Sequence, residues 1–254
     1  CNKLWNASRF VLMSVESDPP GQDVAPADGT PSLAARWIRS RFDAAVATAR
    51  EAYAEYRFDR AAQALYEFTW YEFCDWYLEL TKPVLQSESS NAAEKRATRR
   101  TLVATLEGLL RALHPLMPFV TEEIWQRVAP LAGRTGPTIM LEPYPAPEHA
   151  TRDEAVEVEM QWVMDFILGL RNIRGEMDIA PSRRFDVLLA NAAPADLARL
   201  DRTRHYVERL AGTNSIRPLA AGEAEPDSAV ALLGELRILV PLAGLIDVQA
   251  EIAR

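Results

Sequence analysis

The sequence has no apolar run that approaches the roughly 18 residues a membrane-spanning helix needs, and its start does not resemble a signal peptide. Cysteine is scarce. The two that occur, Cys1 and Cys74, could pair only if the fold brought them together. Cys74 lies inside a hydrophobic helical pattern, which is typical of a buried free thiol. This cysteine usage favours a reducing, cytoplasmic setting.

The formal net charge of −8 argues against a protein that coats nucleic acid non-specifically. It leaves room for local basic surfaces, so charge must be assessed segment by segment. The histidines His114, His149 and His205 have no Cys, His or carboxylate partner at metal-ligand spacing, and we therefore predict no metal site. His114, beside Pro115, is typical of a hydrogen-bonded bend residue.

The most hydrophobic helical pattern runs from Tyr66 to Pro83. Its apolar residues recur at alternating four- and three-residue steps, which predicts one continuous stripe along an α-helix: Tyr66, Trp70, Phe73, Tyr77 and Leu80. Further aromatic residues broaden the apolar surface, so we predict a central core helix. No paired nucleophile or histidine accompanies its acidic residues Glu72, Asp75 and Glu79. They are therefore interpreted as an acidic face available to neighbouring arginines.

The predicted fold class is mainly α. Residues 1–150 are predicted to form a helical bundle with an exposed loop at 17–32, which is rich in Pro, Gly, Asp and Ser. Helices are predicted near the start of the chain, after an N-cap at Ser32, through the aromatic stretch, and from about Ala92 to the prolines Pro115 and Pro118. A short extended piece is predicted at Thr138–Leu141.

Residues 151–254 are predicted to form a connecting helix, roughly Glu154–Glu176, and a small α/β subdomain. Its predicted elements are strands at Arg184–Ala190 and Asn214–Leu219, a helix at Asp196–Leu210, and one or more further strands within Ala229–Val240 and Leu245–Val248. The chain begins without Met and ends in what resembles the first turn of a helix. We therefore expect a piece of a longer protein.

Three stretches resemble the valyl-tRNA synthetase family in the region that follows its catalytic core. They are CNKLWNASRF at Cys1–Phe10, EFCDWYLELTKP at Glu72–Pro83 and LHPLMPFVTEEIW at Leu113–Trp125. RNIRGEMDIAP at Arg171–Pro181 and LGELRILVPLAGLID at Leu233–Asp247 extend the resemblance over essentially the whole chain. The words HPxMPF and TEEIW are shared among related synthetases, whereas NKLWNASRF together with DWYLELTKP is more specific to the valine enzyme.

The resemblance implies a helical anticodon-binding domain and a small α/β subdomain, followed by a coiled-coil arm that would begin where this chain ends. It also implies that the parent protein joins valine to tRNA-Val with ATP and Mg²⁺ in N-terminal catalytic and editing domains. No HIGH-like, KMSKS-like or GxxxxGK sequence occurs here. We therefore expect this chain to bind tRNA as a cytoplasmic monomer, without catalytic residues and without a cofactor of its own.

Recognition of an anticodon loop needs amides for base edges, cations for phosphates and a flat group for stacking. The resemblance makes the first helix the leading candidate, because Asn2, Asn6 and Arg9 share one polar face with Lys3 adjacent. The alternative is a solvated face on which the Asn residues make local caps. For the arginines at the start of the next helix, Arg36, Arg39 and Arg41, phosphate contacts and a solvated helix face remain equally open.

Two further basic groups are weaker candidates. Lys95, Arg96, Arg99 and Arg100 form the densest basic cluster. It could follow the anticodon stem, but a basic helix start without RNA contact is favoured. Arg171 and Arg174 could hold tRNA backbone. A structural role, through pairing with Glu176 or Asp178, is favoured for them.

Two other functions stay open from the sequence. One is the same region of a related class I synthetase, most plausibly the isoleucine enzyme, which often carries a C-terminal zinc site that this chain lacks. The other is a free-standing helical RNA-binding or scaffold protein.

Overall fold

The computed structural model describes residues 1–16, 31–147, 152–220, 222–243 and 245. The chain divides into two units, residues 1–157 and 158–254. The first consists of helices and short turns, and the second contains a four-stranded sheet. The predicted fold class, a helical bundle followed by a small α/β part, is confirmed. Most of the predicted loop at 17–32 lies outside the described residues. Within those residues, no helix combines the length and the apolar content that crossing a membrane requires.

The first unit is built from helices whose apolar positions recur at helical spacing. They are α1 (Asn2–Val15), α2 (Leu33–Ala54), α3 (Phe58–Glu67), a π-helical segment (Phe68–Tyr77), α4 (Leu78–Leu85), α5 (Ala92–Leu113) and α6 (Pro118–Val128). The predicted N-cap is confirmed, since the Oγ of Ser32 accepts a hydrogen bond from the amide of Ala35 over 3.2 Å.

The core of the first unit is centred on α5, where Leu102, Leu106 and Leu109 are fully buried. A glycine on this helix allows a close approach to α2. A β-carbon at Gly108 would lie only 2.9 Å from the ring of Phe42. That ring packs in turn against Phe68 of the π segment, with 5.3 Å between the centroids. Aromatic and small residues together therefore pack α2, α5 and the π segment closely.

The aromatic stretch is helical, as predicted, but a single α-helical stripe is wrong. In the π segment the amide of Leu78 donates to the carbonyl of Phe73, five residues earlier. Each π turn therefore takes in about one residue more than an α turn. The buried rings are Phe68, Phe73 and Tyr77, at steps of five and four, whereas Trp70 is 38% exposed. The wider turn rotates the first part of the predicted stripe toward solvent.

The extended piece predicted at Thr138–Leu141 is also wrong. Ile139–Leu141 forms a 3₁₀ turn, and a second 3₁₀ turn lies at Pro130–Ala132. The carboxylate of Glu122 on α6 accepts hydrogen bonds from the hydroxyl of Thr138 over 2.8 Å and the amide of Ile139 over 3.2 Å. These bonds fold the segment against α6 and bury Ile139.

The second unit contains most of α7 (Glu154–Glu176), which coincides with the predicted connecting helix, and a sheet with one further helix. These elements are β1 (Phe185–Ala190), α8 (Pro194–Ala211), β2 (Thr213–Pro218), β3 (Ser228–Leu233) and β4 (Leu236–Pro241). The strand order is β2-β1-β4-β3, with β1 and β2 parallel and the other pairs antiparallel. The predicted stretch Ala229–Val240 is thus a hairpin that turns at Gly234. The last predicted strand lies outside the described residues except for Leu245, which is in a turn.

Candidate nucleic-acid interface

One exposed face of α1 carries three of the predicted RNA-binding residues, and we call Asn2, Asn6 and Arg9 the α1 polar face. All three side chains are exposed. The opposite side of the helix is buried in the bundle through Leu4, Ala7, Ser8 and Val11. The spacing of these residues produces the separation, because steps of three and four keep each set on one side of an α-helix. The structure leaves the polar face available to a ligand, and its contact with RNA stays a prediction.

Sequence reasoning missed Trp5 as a member of this surface. It is 39% exposed and lies three residues after Asn2 and four before Arg9, so it shares their side of the helix. The signal was present in that spacing, but a tryptophan in an amphipathic helix is usually assigned to the core. With Trp5 included, α1 presents two amides, one guanidinium and one indole on a single face.

Lys3, the other predicted residue on α1, is held within the protein. Its ammonium lies 2.6 Å from the carboxylate of Asp75 and 3.8 Å from the ring centroid of Trp70. Asp75 neutralises its charge, and the ring attracts the cation through its π electrons. These contacts fasten α1 to the π segment. They favour a positioning role for Lys3, whose contact with RNA stays a prediction.

The arginines at the start of α2 differ in their exposure and in their contacts within the protein. Arg36 is exposed and pairs with Asp153. Arg39 is exposed and also interacts within the protein. Arg41 is partly buried between Glu72 and Glu157, and its hydrogen bonds to Glu72 raise the pKa of the guanidinium above its ordinary value. Phosphate contacts by these three residues stay predictions, and the geometry favours Arg36 and Arg39 over Arg41.

The acidic residues of the aromatic stretch form ion pairs, but within the described residues the predicted arginine partner is present for Glu72 alone. Glu72 accepts from Arg41, whereas Asp75 and Glu79 pair with the lysines Lys3 and Lys82. Beside them, burial raises the pKa of Cys74 to about 11, so its thiol stays protonated and unreactive near neutral pH. The pairs of Asp75 and Glu72 connect the π segment to α1 and α2, whereas the pair of Glu79 with Lys82 lies within α4.

The basic start of α5 is held in place by a helix cap and by a hydrogen bond to α1. Asn91 and Glu94 form a capping box, in which each side chain accepts a hydrogen bond from the other residue's amide, over 2.9 and 3.1 Å. The Nε of Arg99 donates over 2.6 Å to the carbonyl of Ser14, in the last turn of α1. Arg99 therefore joins α5 to α1, and its predicted contact with RNA remains untested.

In the second unit, Arg171 and Arg174 both donate hydrogen bonds to backbone carbonyls. Arg171 donates to the carbonyl of Leu210 near the end of α8. Arg174 donates to four carbonyls, at Ala180, Arg183, Ala211 and Gly212, and its guanidinium lies 4.7 Å from the ring centroid of Phe185. For Arg174, the predicted pairing with Glu176 or Asp178 is wrong. The arrangement favours a structural role for Arg174, and tRNA contacts by both arginines stay predictions.

The remaining candidates for a chemical role in the described ranges are His114 and the possible metal ligands. The Nδ1 of His114 is hydrogen-bonded to the hydroxyl of Thr121 over 2.8 Å, as expected of a bend residue. No group of three or more His, Cys, Asp or Glu side chains there is arranged to hold a metal ion.

Residues 35–189 match the family model of the anticodon-binding domain of tRNA ligases. The chain belongs to this family. The match covers more than half of the 254 residues, from α2 through most of β1. This anticodon-binding domain therefore includes the π segment and the basic start of α5. The α1 polar face precedes the matched range, so its assignment depends on its geometry and on the resemblance of CNKLWNASRF.

Proposed function

We propose that this chain is the tRNA-anticodon-binding part of a valine–tRNA ligase. Membership of the anticodon-binding family supports tRNA as the partner. The valine assignment rests on the resemblance of NKLWNASRF, which forms most of α1, and of DWYLELTKP, which spans the end of the π segment and most of α4. Contacts with the anticodon loop of tRNA-Val would let the enzyme select its substrate far from the reacting groups.

The observation that carries this proposal is the composition of the exposed face of α1. Asn2 and Asn6 can each donate to and accept from a base edge, and Arg9 can bind a phosphate. Trp5 offers a flat ring on which an unpaired base can stack. Single-stranded loops are recognised through this combination of groups, because their bases can be splayed out and contacted on their edges and faces.

The parent enzyme would attach valine to tRNA-Val with ATP and Mg²⁺ bound in catalytic domains outside this chain. The absence of HIGH-like and KMSKS-like sequences from this chain supports the assignment of catalysis to those other domains. The N-terminal catalytic and editing domains and the C-terminal coiled-coil arm would be the other partners of this domain. The proposed setting is a cytoplasmic monomer.

The direct test measures the affinity of the chain for tRNA-Val, for the same tRNA with its anticodon replaced, and for tRNA-Ile. Tighter binding to tRNA-Val than to both others is expected. Equal affinity for tRNA-Val and its anticodon-replaced form would contradict anticodon recognition. A preference for tRNA-Ile would instead assign the domain to an isoleucine enzyme. An upstream reading frame without HIGH-like and KMSKS-like sequences would favour the free-standing RNA-binding protein.

The α1 polar face is tested with Asn6→Ala. We expect weaker binding to tRNA-Val with little change in melting temperature, because the Asn6 side chain is exposed. Asn172→Ala removes an exposed helical amide in the second unit and serves as the matched control. A large fall in melting temperature for Asn6→Ala would show that Asn6 is structural.

A further inference from the structure

The cations of the first unit are mostly neutralised within the protein. Acidic partners are present, for example, for Arg36, Arg57, Arg60, Arg111 and Arg127. Arg9, Lys95 and Arg96 are different. Within the described part of the chain, the structure shows no side-chain hydrogen bond or ion pair for any of the three. In a chain of net charge −8, cations that are left without an acidic partner call for an explanation.

The position of Lys95 and Arg96 is unfavourable for folding. Lys95 and Arg96 are the fourth and fifth residues of α5, at the end of its first turn, where the partial positive charge of the helix N-terminus still disfavours cations weakly. Each also has a further arginine four residues on, Arg99 or Arg100, and like charges at this spacing repel one another. The nearest acidic group on the helix, Glu94, accepts the amide N–H of Asn91 in the capping box. Helix stability therefore does not account for this arrangement.

The fold brings this cluster to the part of the bundle where α1 ends. The hydrogen bond from Arg99 to the carbonyl of Ser14 joins the second turn of α5 to the last turn of α1. Arg9 lies five residues before Ser14 on the same helix. Lys95 and Arg96 on α5 and the α1 polar face therefore belong to two helices that are in contact, and Arg9 is the member of that face nearest in sequence to the contact at Ser14.

We propose that Lys95 and Arg96 bind the phosphate backbone of the tRNA whose anticodon loop is read by α1. The inference rests on the proposed function. Phosphate oxygens would be the anionic partners that the Lys95 and Arg96 side chains do not have within the described part of the protein. Such contacts position the RNA and carry no base specificity, because the backbone is the same in every sequence. Base specificity stays with the α1 polar face, and Lys95 and Arg96 add sequence-independent affinity.

The test compares Lys95→Ala/Arg96→Ala with Arg57→Ala/Arg60→Ala. The control removes the same two positive charges from exposed positions at the junction of α2 and α3. Binding to tRNA-Val and to its anticodon-replaced form is measured over a range of salt concentrations. The Lys95/Arg96 variant should lose affinity for both RNAs by the same factor. The slope of log affinity against log salt should become shallower by about one per residue. The control should keep the wild-type slope.

Thermal unfolding separates RNA contact from a structural role. The Lys95/Arg96 variant should melt at or above the wild-type temperature, because the change relieves repulsion at the helix start.

An unchanged salt slope, or a change equal to that of the control, would overturn the inference. Those results would be expected if the cluster bound an acidic protein instead. Wild-type binding without anticodon preference, together with a shallower slope in the variant, would contradict only the proposed function. If the wild-type chain bound neither RNA, both would fail.

Discussion

The guanidinium of Arg41 on α2 donates to both carboxylate oxygens of Glu72 in the π segment, over 2.9 Å from Nε and 2.8 Å from Nη2. Its Nη1 donates over 3.0 Å to Glu157 at the start of α7. Positions 41, 72 and 157 are far apart in sequence, so one side chain joins α2, the π segment and the first turn of α7. The two-point geometry with Glu72 uses the planar fork that only arginine offers.

Arg41→Ala is expected to lower the free energy of unfolding by about 1–2 kcal/mol, because two carboxylates lose a charged hydrogen-bond donor while solvent screens part of the loss. Arg41→Lys should recover less than half of that, since an ammonium cannot reproduce the fork. Urea unfolding measures both variants. Arg127→Ala, which removes an exposed pair with Glu123, is the control. Equal losses in Arg41→Ala and the control would show that the network adds no stability.

The same network predicts a pH dependence through Glu157. Burial alone would raise the pKa of its carboxyl. The hydrogen bond from Ser40 and the ion pair with Arg41 outweigh that effect, and the pKa lies below its ordinary value. A lowered pKa in the folded state contributes stability above the ordinary glutamate pKa of about 4.3, and this contribution disappears as the pH falls through the folded value.

Glu157→Gln should therefore be less stable than the wild type at pH 7, and the difference should shrink as the pH is lowered below about 4. Unfolding in urea at several pH values measures the difference between the two proteins, so acidic groups common to both cancel. Arg36, Arg152 and Asp153 are near this network and remain in both proteins. A difference that stays constant down to pH 3 would contradict a lowered pKa for Glu157.

The helices of this chain could be predicted from sequence because local patterns specify them. Ser32 caps α2 as expected, and α7 has the predicted bounds, Glu154–Glu176. The π segment could not be predicted, because residues at positions such as 66, 70, 73 and 77 fit an α-helical stripe equally well. Which rings are buried depends on the width of each turn, and tertiary packing decides that width.

The candidate site shows a similar limit. The shared face of Asn2, Asn6 and Arg9 follows from helical spacing alone. The ion pairs of Lys3 and Arg41 do not follow from spacing. Their partners Asp75 and Glu72 are distant in sequence and meet them only after folding. Charge runs alone therefore could not separate cations that are neutralised within the protein from cations that are left for a ligand.

The π register predicts different costs for two aromatic residues that the α-helical stripe treats alike. Phe73→Ala removes a fully buried ring and should cost about 3–5 kcal/mol of unfolding free energy. Trp70→Ala removes a ring that is 38% exposed, stacked on Tyr66 and covered by Lys3, and should cost only about 1 kcal/mol. Chemical denaturation of both variants tests the register. Similar large losses at both positions would support a continuous α-helical stripe instead.

Arg174 separates stability from RNA binding in the second unit. Arg174→Ala leaves carbonyl groups at the end of α8 and around residues 180–183 without their donor, and we expect a loss of about 2 kcal/mol. Arg174→Lys should restore little, because an ammonium cannot reach this set of acceptors while lying over Phe185. The melting temperature and the affinity for tRNA are measured on the same samples, with Arg209→Ala on α8 as the control. If Arg174→Ala kept the wild-type melting temperature but bound tRNA more weakly, the structural assignment would be wrong. The guanidinium would then contribute to RNA binding and not to stability.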